Sequence, residues 1–363
     1  MTPRPDSAPP GDLGGRAVQS SDKALFISLS NIGDAIMTTP ALELLHARYP
    51  EHSIDIVADR RSGEIFEHCP YRGEIFYKNK RAAWRGVPAL LGQLRVSFYE
   101  VVVDLRSDGL AYLLRARRRY TKWGARAARG PHAVQRLMAI VGGLLGPAEI
   151  PPQRIWVSEA AQEFARRALA DFPGRRWLVL GPGAKWPKKV WPAQRFIDMV
   201  KSLEDRFDSV IVLGGPGDVA PAAEVTAGLR LPVLNLAGQT SILEDCAVLA
   251  QAQVFVGNDS GLGHMASAVG IPTLTVFGPT DALRYHPWGQ QADWLCEPEG
   301  RLEALSGAAV AARLRLHLER LRSKAMQIYD APPHVPAAIS CGAGRYRNRS
   351  RHRSHQSRDD RER

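Results

Sequence analysis

The stretch that most constrains the fold is 254–280, VFVGNDSGLGHMASAVGIPTLTVFGPT. A short apolar, β-branched run (Val254, Phe255, Val256) stops at Gly257-Asn258-Asp259-Ser260-Gly261. A helical pattern follows, with Met265, Ala268 and Val269 on one face, until Gly270-Ile271-Pro272 ends it. A second buried-strand run, Thr273 to Phe277, leads into Gly278-Pro279-Thr280. Strand, polar glycine-rich turn, helix, strand and polar turn in that order specify a parallel α/β sheet. In an open parallel sheet both turns lie at the carboxyl ends of strands, where such folds bind ligands. The first turn also opens a helix, so free N–H groups and the helix dipole face an anion there. Gly261 and Gly263 are expected to let the backbone approach that anion closely. The segment therefore predicts a phosphate-binding corner, with Ser260, Gly261, Leu262, Gly263 and His264 in the first turn and Thr280 in the second.

The same alternation runs through the chain. Ala24–Leu29 reads as a strand, Ser30-Asn31-Ile32-Gly33-Asp34 as a turn, and a helix with Ile36, Leu44 and Leu45 inward ends near Tyr49-Pro50. Ile54–Ala58 and Glu100–Asp104 read as further strands, with amphipathic pieces from Arg81 to Val96 between them. A basic region from Arg106 to Arg136 follows, and the pattern breaks near Pro147–Pro152. Beyond the break come a helix over 159–171 and a strand 177–180 entering Gly181-Pro182-Gly183-Ala184. A helix over 196–207, then a strand 210–213 entering Gly214-Gly215-Pro216-Gly217-Asp218, and a run 233–236 complete it. A late helix carries Val310, Leu314, Leu318 and Leu321 at helical spacing. With 363 residues, this predicts two doubly wound α/β domains, 22–150 and 151–325. A disordered leader over 1–21 precedes them and a disordered basic tail over 331–363 follows.

Composition narrows the function classes. The net charge of +11 is concentrated: the last 22 residues carry 8 Arg against 3 acids. Four scattered cysteines, with no CxxC pair, argue for a reducing compartment and against structural zinc. No stretch approaches the ~20 apolar residues of a membrane span, and the leader lacks an apolar signal core. The expectation is a cytoplasmic protein resting on a membrane surface at most. Ser30-Asn31-Ile32-Gly33 is not GxGxxG, which argues against a dinucleotide dehydrogenase.

Three ordered segments, IGDAIMTTPALELL (32–45), GPGAKWPKKVWPAQRF (181–196, with Lys189, Trp191 and Pro192 in Lys-x-Trp-Pro) and GNDSGLGHMASAVGIPTLTVFGPT (257–280), resemble glycosyltransferase family nine, the bacterial lipopolysaccharide heptosyltransferases. The resemblance implies a GT-B architecture: two Rossmann-like domains facing across a cleft, acceptor in the first and donor in the second. It implies inverting transfer from a nucleotide-diphosphate sugar, typically ADP-heptose. The implied acceptor is the lipopolysaccharide inner core at the cytoplasmic face of the inner membrane, or a related envelope glycan.

On that footing Asp34, in the first turn of a helix, is the candidate general base for the acceptor hydroxyl. The plain alternative is an acid that only stabilises its helix. Lys189 is the candidate diphosphate clamp, with Lys185 and Lys188 as neighbours outside the motif. The Gly183-Ala184 backbone joins the Gly261 turn around the phosphates. The resemblance places Asp259 in the donor pocket, where it also fits a helix N-cap. His264 either donates to phosphate or packs inside its helix. Asp218 is either a ribose ligand or a turn acid, and Leu236-Ala237-Gly238 a wall for the base. Arg115, Arg118 and Arg119 are candidates for acidic groups of a glycolipid acceptor or anionic lipid heads, or a solvated helix face. No HExxH or DxD motif stands in a convincing loop, so metal-independent chemistry is expected, with no cofactor. The tail, short of interleaved aromatics, reads as an electrostatic appendage with no specific nucleic-acid partner. Other readings are a GT-B transferase using a different sugar for an O-antigen or capsule, an epimerase on the same fold, and a non-catalytic sugar-nucleotide-binding protein.

Overall fold

The computed structural model describes residues 22–78, 86–106, 109–125, 127–128, 130–144 and 149–330. The leader, the Arg-rich tail, Arg81, Arg126, Arg129 and Pro147 at the expected boundary lie outside them.

The first half runs β1 (Lys23–Ile27), α1 (Ile32–Arg48), β2 (Ser53–Ala58), α2 (Arg60–Gly63), β3 (Arg72–Tyr77), α3 (Val87–Leu94), β4 (Tyr99–Asp104), β5 (Ala116–Thr121) and α4 (Ala133–Ile140). Its strands form one parallel sheet in the order β3-β2-β1-β4-β5. The second half runs α5 (Glu159–Leu169), β6 (Trp177–Gly181), α6 (Ala193–Lys201), β7 (Ser209–Val212), α7 (Val219–Ala227), β8 (Val233–Asn235) and α8 (Ile242–Gln251). It continues through β9 (Val254–Asn258), α9 (Gly261–Ala268), β10 (Thr273–Phe277), α10 (Ala282–Tyr285), β11 (Ala292–Cys296) and α11 (Gly307–Asp330). Its parallel sheet has the order β11-β10-β9-β6-β7-β8.

Both sheets are doubly wound, so each has a point where the strand order reverses: between β1 and β4, and between β6 and β9. Central strands are apolar on both faces because helices cover both. Ala24 and Phe26 of β1 enter one core while Leu25 and Ile27 enter another. The core holding Phe26 and Ile36 continues through Val179, Phe255 and Met265, so it joins the two halves.

Helix α1 passes through Pro40, whose missing N–H leaves the Ile36 carbonyl without its helical donor. The Thr39 hydroxyl donates to that carbonyl at 2.8 Å. The same hydroxyl accepts the Arg154 N–H at 3.0 Å, tying α1 to the segment that leads into the second half.

The structure corrects several expectations. The basic stretch around Arg115–Arg119 is not a helix face but the edge strand β5, hydrogen-bonded to β4. Edge strands β3 and β11 were not expected. The helix expected over 196–207 spans Ala193–Lys201, and Leu203 and Phe207 are buried in the turn beyond it.

Candidate active site

The site assembles at the two reversal points. The turn after β1 carries Asn31, Gly33 and Asp34 into α1. In the second sheet, Gly181 at the end of β6 pairs in register with Gly257 near the end of β9. The Gly183-Ala184 turn and the Asp259-Ser260-Gly261 turn therefore leave adjacent strands on one rim. Thr280 follows β10, the next strand over, on the same rim.

The two halves meet here at van der Waals range. A β-carbon on Gly33 would lie 2.7 Å from His264 Cδ2, and one on Gly261 would lie 3.2 Å from Ile32 Cγ2. Real β-carbons essentially never sit as close as the first of these, and the second is tight, so the first turn of α1 rests on the first turn of α9 because Gly33 bears no side chain. Asp34 is half-buried in that turn, and Asn31 Nδ2 donates to its Oδ2 at 2.7 Å.

Across the contact, Lys189 Nζ donates to Asp259 Oδ2 at 2.6 Å, and both side chains are largely shielded from solvent. The ammonium also lies 5.0 Å from the centroid of the exposed Trp186 ring. The loop bearing Lys189 is fastened by Asn258, which is fully buried. Asn258 Oδ1 accepts from Trp191 N at 3.0 Å, and Nδ2 donates to Pro182 O at 2.7 Å. Trp191 is core, its indole N–H bonded to Leu305 O at 2.9 Å. The Lys-x-Trp-Pro segment thus anchors by its tryptophan and presents its lysine.

His264 is buried. Burial pushes its pKa down to about 4, against the opposing fields of Asp259 and Asp34. It is neutral at pH 7, with a carboxylate from each half in its field. His264 Nδ1 and Ser260 Oγ are buried without a hydrogen-bond partner among the described residues. Unpaired polar atoms at a helix N-terminus, beside a lysine, suit an anionic ligand.

Other expected residues serve differently. The Leu262 side chain is in the core, against Gly181, so only its backbone faces the turn. Gly263 gives α9 close packing on Thr275 and Pro287 rather than close approach to a ligand. Asp218 Oδ2 accepts from Gly215 N at 2.9 Å and the carboxylate packs on Gly183, as a turn acid does. Arg119 donates to the Ala111 and Leu114 carbonyls at 2.9 and 2.8 Å, while Arg115 and Arg118 stand exposed. Among the described residues no group of three or more His, Cys, Asp or Glu side chains is placed to hold a metal ion. Asn31 and Asn258 were not foreseen; only the adjacency of Asn258 to Asp259 hinted at it.

A second tie lies behind the site. His132 caps α4 by accepting the Val134 N–H, and its Nε2 meets the His286 carbonyl at 2.8 Å. Burial lowers the His132 pKa to about 4. Glu64 Oε1 accepts the Leu243 N–H at 3.1 Å, a third link between the halves.

Residues 108–309 match the model of glycosyltransferase family 9 (heptosyltransferase). The chain is 28% identical over 284 residues to lipopolysaccharide heptosyltransferase 3 of Escherichia coli (strain K12), covering 70% of this chain and 82% of that one. It is 28% identical over 322 residues to lipopolysaccharide heptosyltransferase 1 of Pseudomonas aeruginosa, covering 76% and 85%. Its fold is similar to the solved structure of E. coli ADP-heptose lipopolysaccharide heptosyltransferase II. The TM-score is 0.69 at 23% identity, over 83% of this chain and 99% of that one, and the two-sheet fold is GT-B. The family match extends over more than half of the chain and over both the Lys189 loop and the α9 turn, so this chain belongs to glycosyltransferase family 9 and is a glycosyltransferase.

Proposed function

We propose that the chain moves a heptose from ADP-heptose to a lipopolysaccharide core or related envelope glycan, inverting the anomeric carbon. The curated relatives carry lipopolysaccharide heptosyltransferase as their name, and the solved relative carries ADP-heptose in its own. The observation that carries the mechanism is the contact of Gly33 with His264. It supports a reading in which Asp34, whose charge reaches His264, works at the mouth of the anion corner.

In this reading the acceptor hydroxyl oxygen attacks the anomeric carbon as the bond from that carbon to the diphosphate oxygen breaks. The electron pair leaves with ADP, and the hydroxyl proton passes to the Asp34 carboxylate. Attack from the face opposite the leaving group inverts the centre. An ionised Asp34 also stabilises oxocarbenium character at the sugar. Charge growing on the diphosphate meets Lys189 and the free N–H groups of α9. Asp218 holds the Gly215 turn that borders the donor pocket. Arg118, exposed on the edge strand β5, is in this reading the basic group offered to acidic parts of the acceptor, while Arg115 stands at the amino end of that strand. The leaving group needs no metal in this scheme, which activity in excess EDTA tests.

The decisive assay offers ADP-, UDP- and GDP-sugars to the protein. Binding raises thermal stability by mass action. Stabilisation by ADP above UDP and GDP, with ADP released only when acceptor is present, is the expected result. A UDP or GDP preference favours an O-antigen or capsule sugar; binding without turnover favours a non-catalytic binder.

A further inference from the structure

Four of the nine large apolar side chains that stand exposed among the described residues gather at one edge of the first sheet: Val96, Tyr112, Leu113 and Trp123. Trp123 is 67% exposed and Tyr112 51%. Their rings stack at 5.2 Å, and the Tyr112 hydroxyl bonds Thr121 Oγ1 at 2.9 Å, so the pair is held in place. Arg95 Nε donates to Leu113 O at 2.8 Å, which ties the segment carrying Val96 to the one carrying Leu113. Arg95, Arg115 and Lys122 are exposed around these groups. The carboxylates of β4 do not offset them: Glu100 is paired with Arg117, and Asp104 is 1% exposed.

We infer that this edge, centred on the Tyr112–Trp123 stack, docks on the surface of an anionic lipid bilayer. Indole and phenol rings settle where apolar body and polar tip are both satisfied, at headgroup depth. Basic side chains beside them meet anionic headgroup phosphates. A second copy of the chain fits poorly, because a twofold contact would set this basic rim against itself. A glycan fits poorly too, since the two rings already stack on each other and Leu113 and Val96 extend an aliphatic surface.

The placement deepens the proposed function and rests on it only for the role of Asp34. The sheet is parallel, so Trp123 after β5 and Asp34 after β1 leave the same rim. The strands β5 and β1 themselves are two strand spacings apart in the sheet, roughly 10 Å. A bilayer against this edge delivers a lipid-anchored acceptor sideways onto the catalytic rim.

The test is partitioning of the full chain onto phosphatidylethanolamine–phosphatidylglycerol vesicles with brominated acyl chains, against phosphatidylcholine vesicles, reading sedimentation and tryptophan quenching together. Charge alone can hold a protein to a vesicle, but quenching requires a tryptophan at the acyl boundary. Wild type should sediment and be quenched with the anionic vesicles. The double variant Tyr112→Ser/Trp123→Ser should partition about tenfold more weakly and lose the quenching, while its thermal shift with ADP is unchanged. Trp123→Phe should keep the partitioning. Wild-type partitioning and quenching in the double variant overturn the inference. So does unchanged vesicle binding with a raised KM for a lipid-free acceptor, or loss of self-association instead of vesicle binding. Failure of ADP to bind the wild type removes the functional reading and leaves this one standing.

Discussion

Among the described residues one side-chain hydrogen bond reaches Asp34, from Asn31 Nδ2 to Oδ2, and it orients the carboxylate. The proton-transfer role predicts that Asp34→Asn keeps the ADP thermal shift and loses at least ~100-fold in turnover. Near-normal kcat in that variant would remove Asp34 from the chemistry. The clamp role predicts that Lys189→Ala raises the donor KM and lowers kcat together, since in that role the ammonium meets both the bound diphosphate and the charge that grows as it leaves. Donor KM and kcat both at wild-type values would make Lys189 a surface ion pair with Asp259 and nothing more. That Asp34, Lys189, Asp259 and His264 lie in or beside turns at strand ends was legible in the sequence, since each follows a glycine-rich turn or sits in a short motif; their roles belong to the proposal. Asn258 was not legible in its role, because its partners are backbone groups 67 and 76 residues away. Leu262 and Gly263 were misread for a related reason: spacing along a turn does not show which side of a short helix faces the sheet.

At the scale of elements, β1, β2, β4, β6, β7, β9, β10 and the short run at β8 were plain from sequence, while the edge strands β3, β5 and β11 were not. A central parallel strand is covered on both faces and reads as an unbroken apolar run. Edge strands β3 (RGEIFY) and β5 (ARRRYT) are half-exposed and keep charges, so their ladders show only in three dimensions. The helix-on-helix contact of α1 with α9 was equally hidden, since it depends on two glycines far apart in the chain. It predicts that Gly33→Ala drives a methyl into the His264 ring. Overpacking of this kind costs about 1–3 kcal/mol, with kcat falling further than stability alone explains. A thermal melt and kinetics of Gly33→Ala, repeated with His264→Asn, check this. The stability loss should shrink in the double variant, since the ring that blocks the methyl is gone. Additive losses would mean that the contact is slack.

At the scale of the whole molecule, burial of titratable groups should make stability depend on pH. His132 and His264 have folded pKa values near 4, below the ordinary 6.5. Their contribution is present above pH 6.5 and is lost as pH falls from there towards 4. Asp245 is the opposite case: burial raises its carboxyl from 3.8 to about 7, although Thr240 donates to it at 2.6 Å. Its contribution is present below pH 4 and is lost as pH rises through 7. Asp245→Asn, neutral at every pH, should therefore gain on the order of 1–3 kcal/mol over wild type at pH 8 and little at pH 4.5. Denaturant melts at the two values decide it, and an equal effect at both would show that Asp245 is not strained by its charge. Because one apolar core passes through both halves, these melts should show a single cooperative step. The division into two sheets was legible; the shared core was not, because periodicity reports which face is apolar and never what it packs against.

The near-touching of position 33 and the imidazole at 264 has a consequence for how such chains diverge. Two segments more than two hundred residues apart share one small volume, so neither is free to drift by itself. A descendant that places a larger residue at 33 must trim 264 in the same lineage or hold its halves further apart. The bulk at these two positions should then vary inversely from one relative to the next, a correlation that sequences alone can reveal.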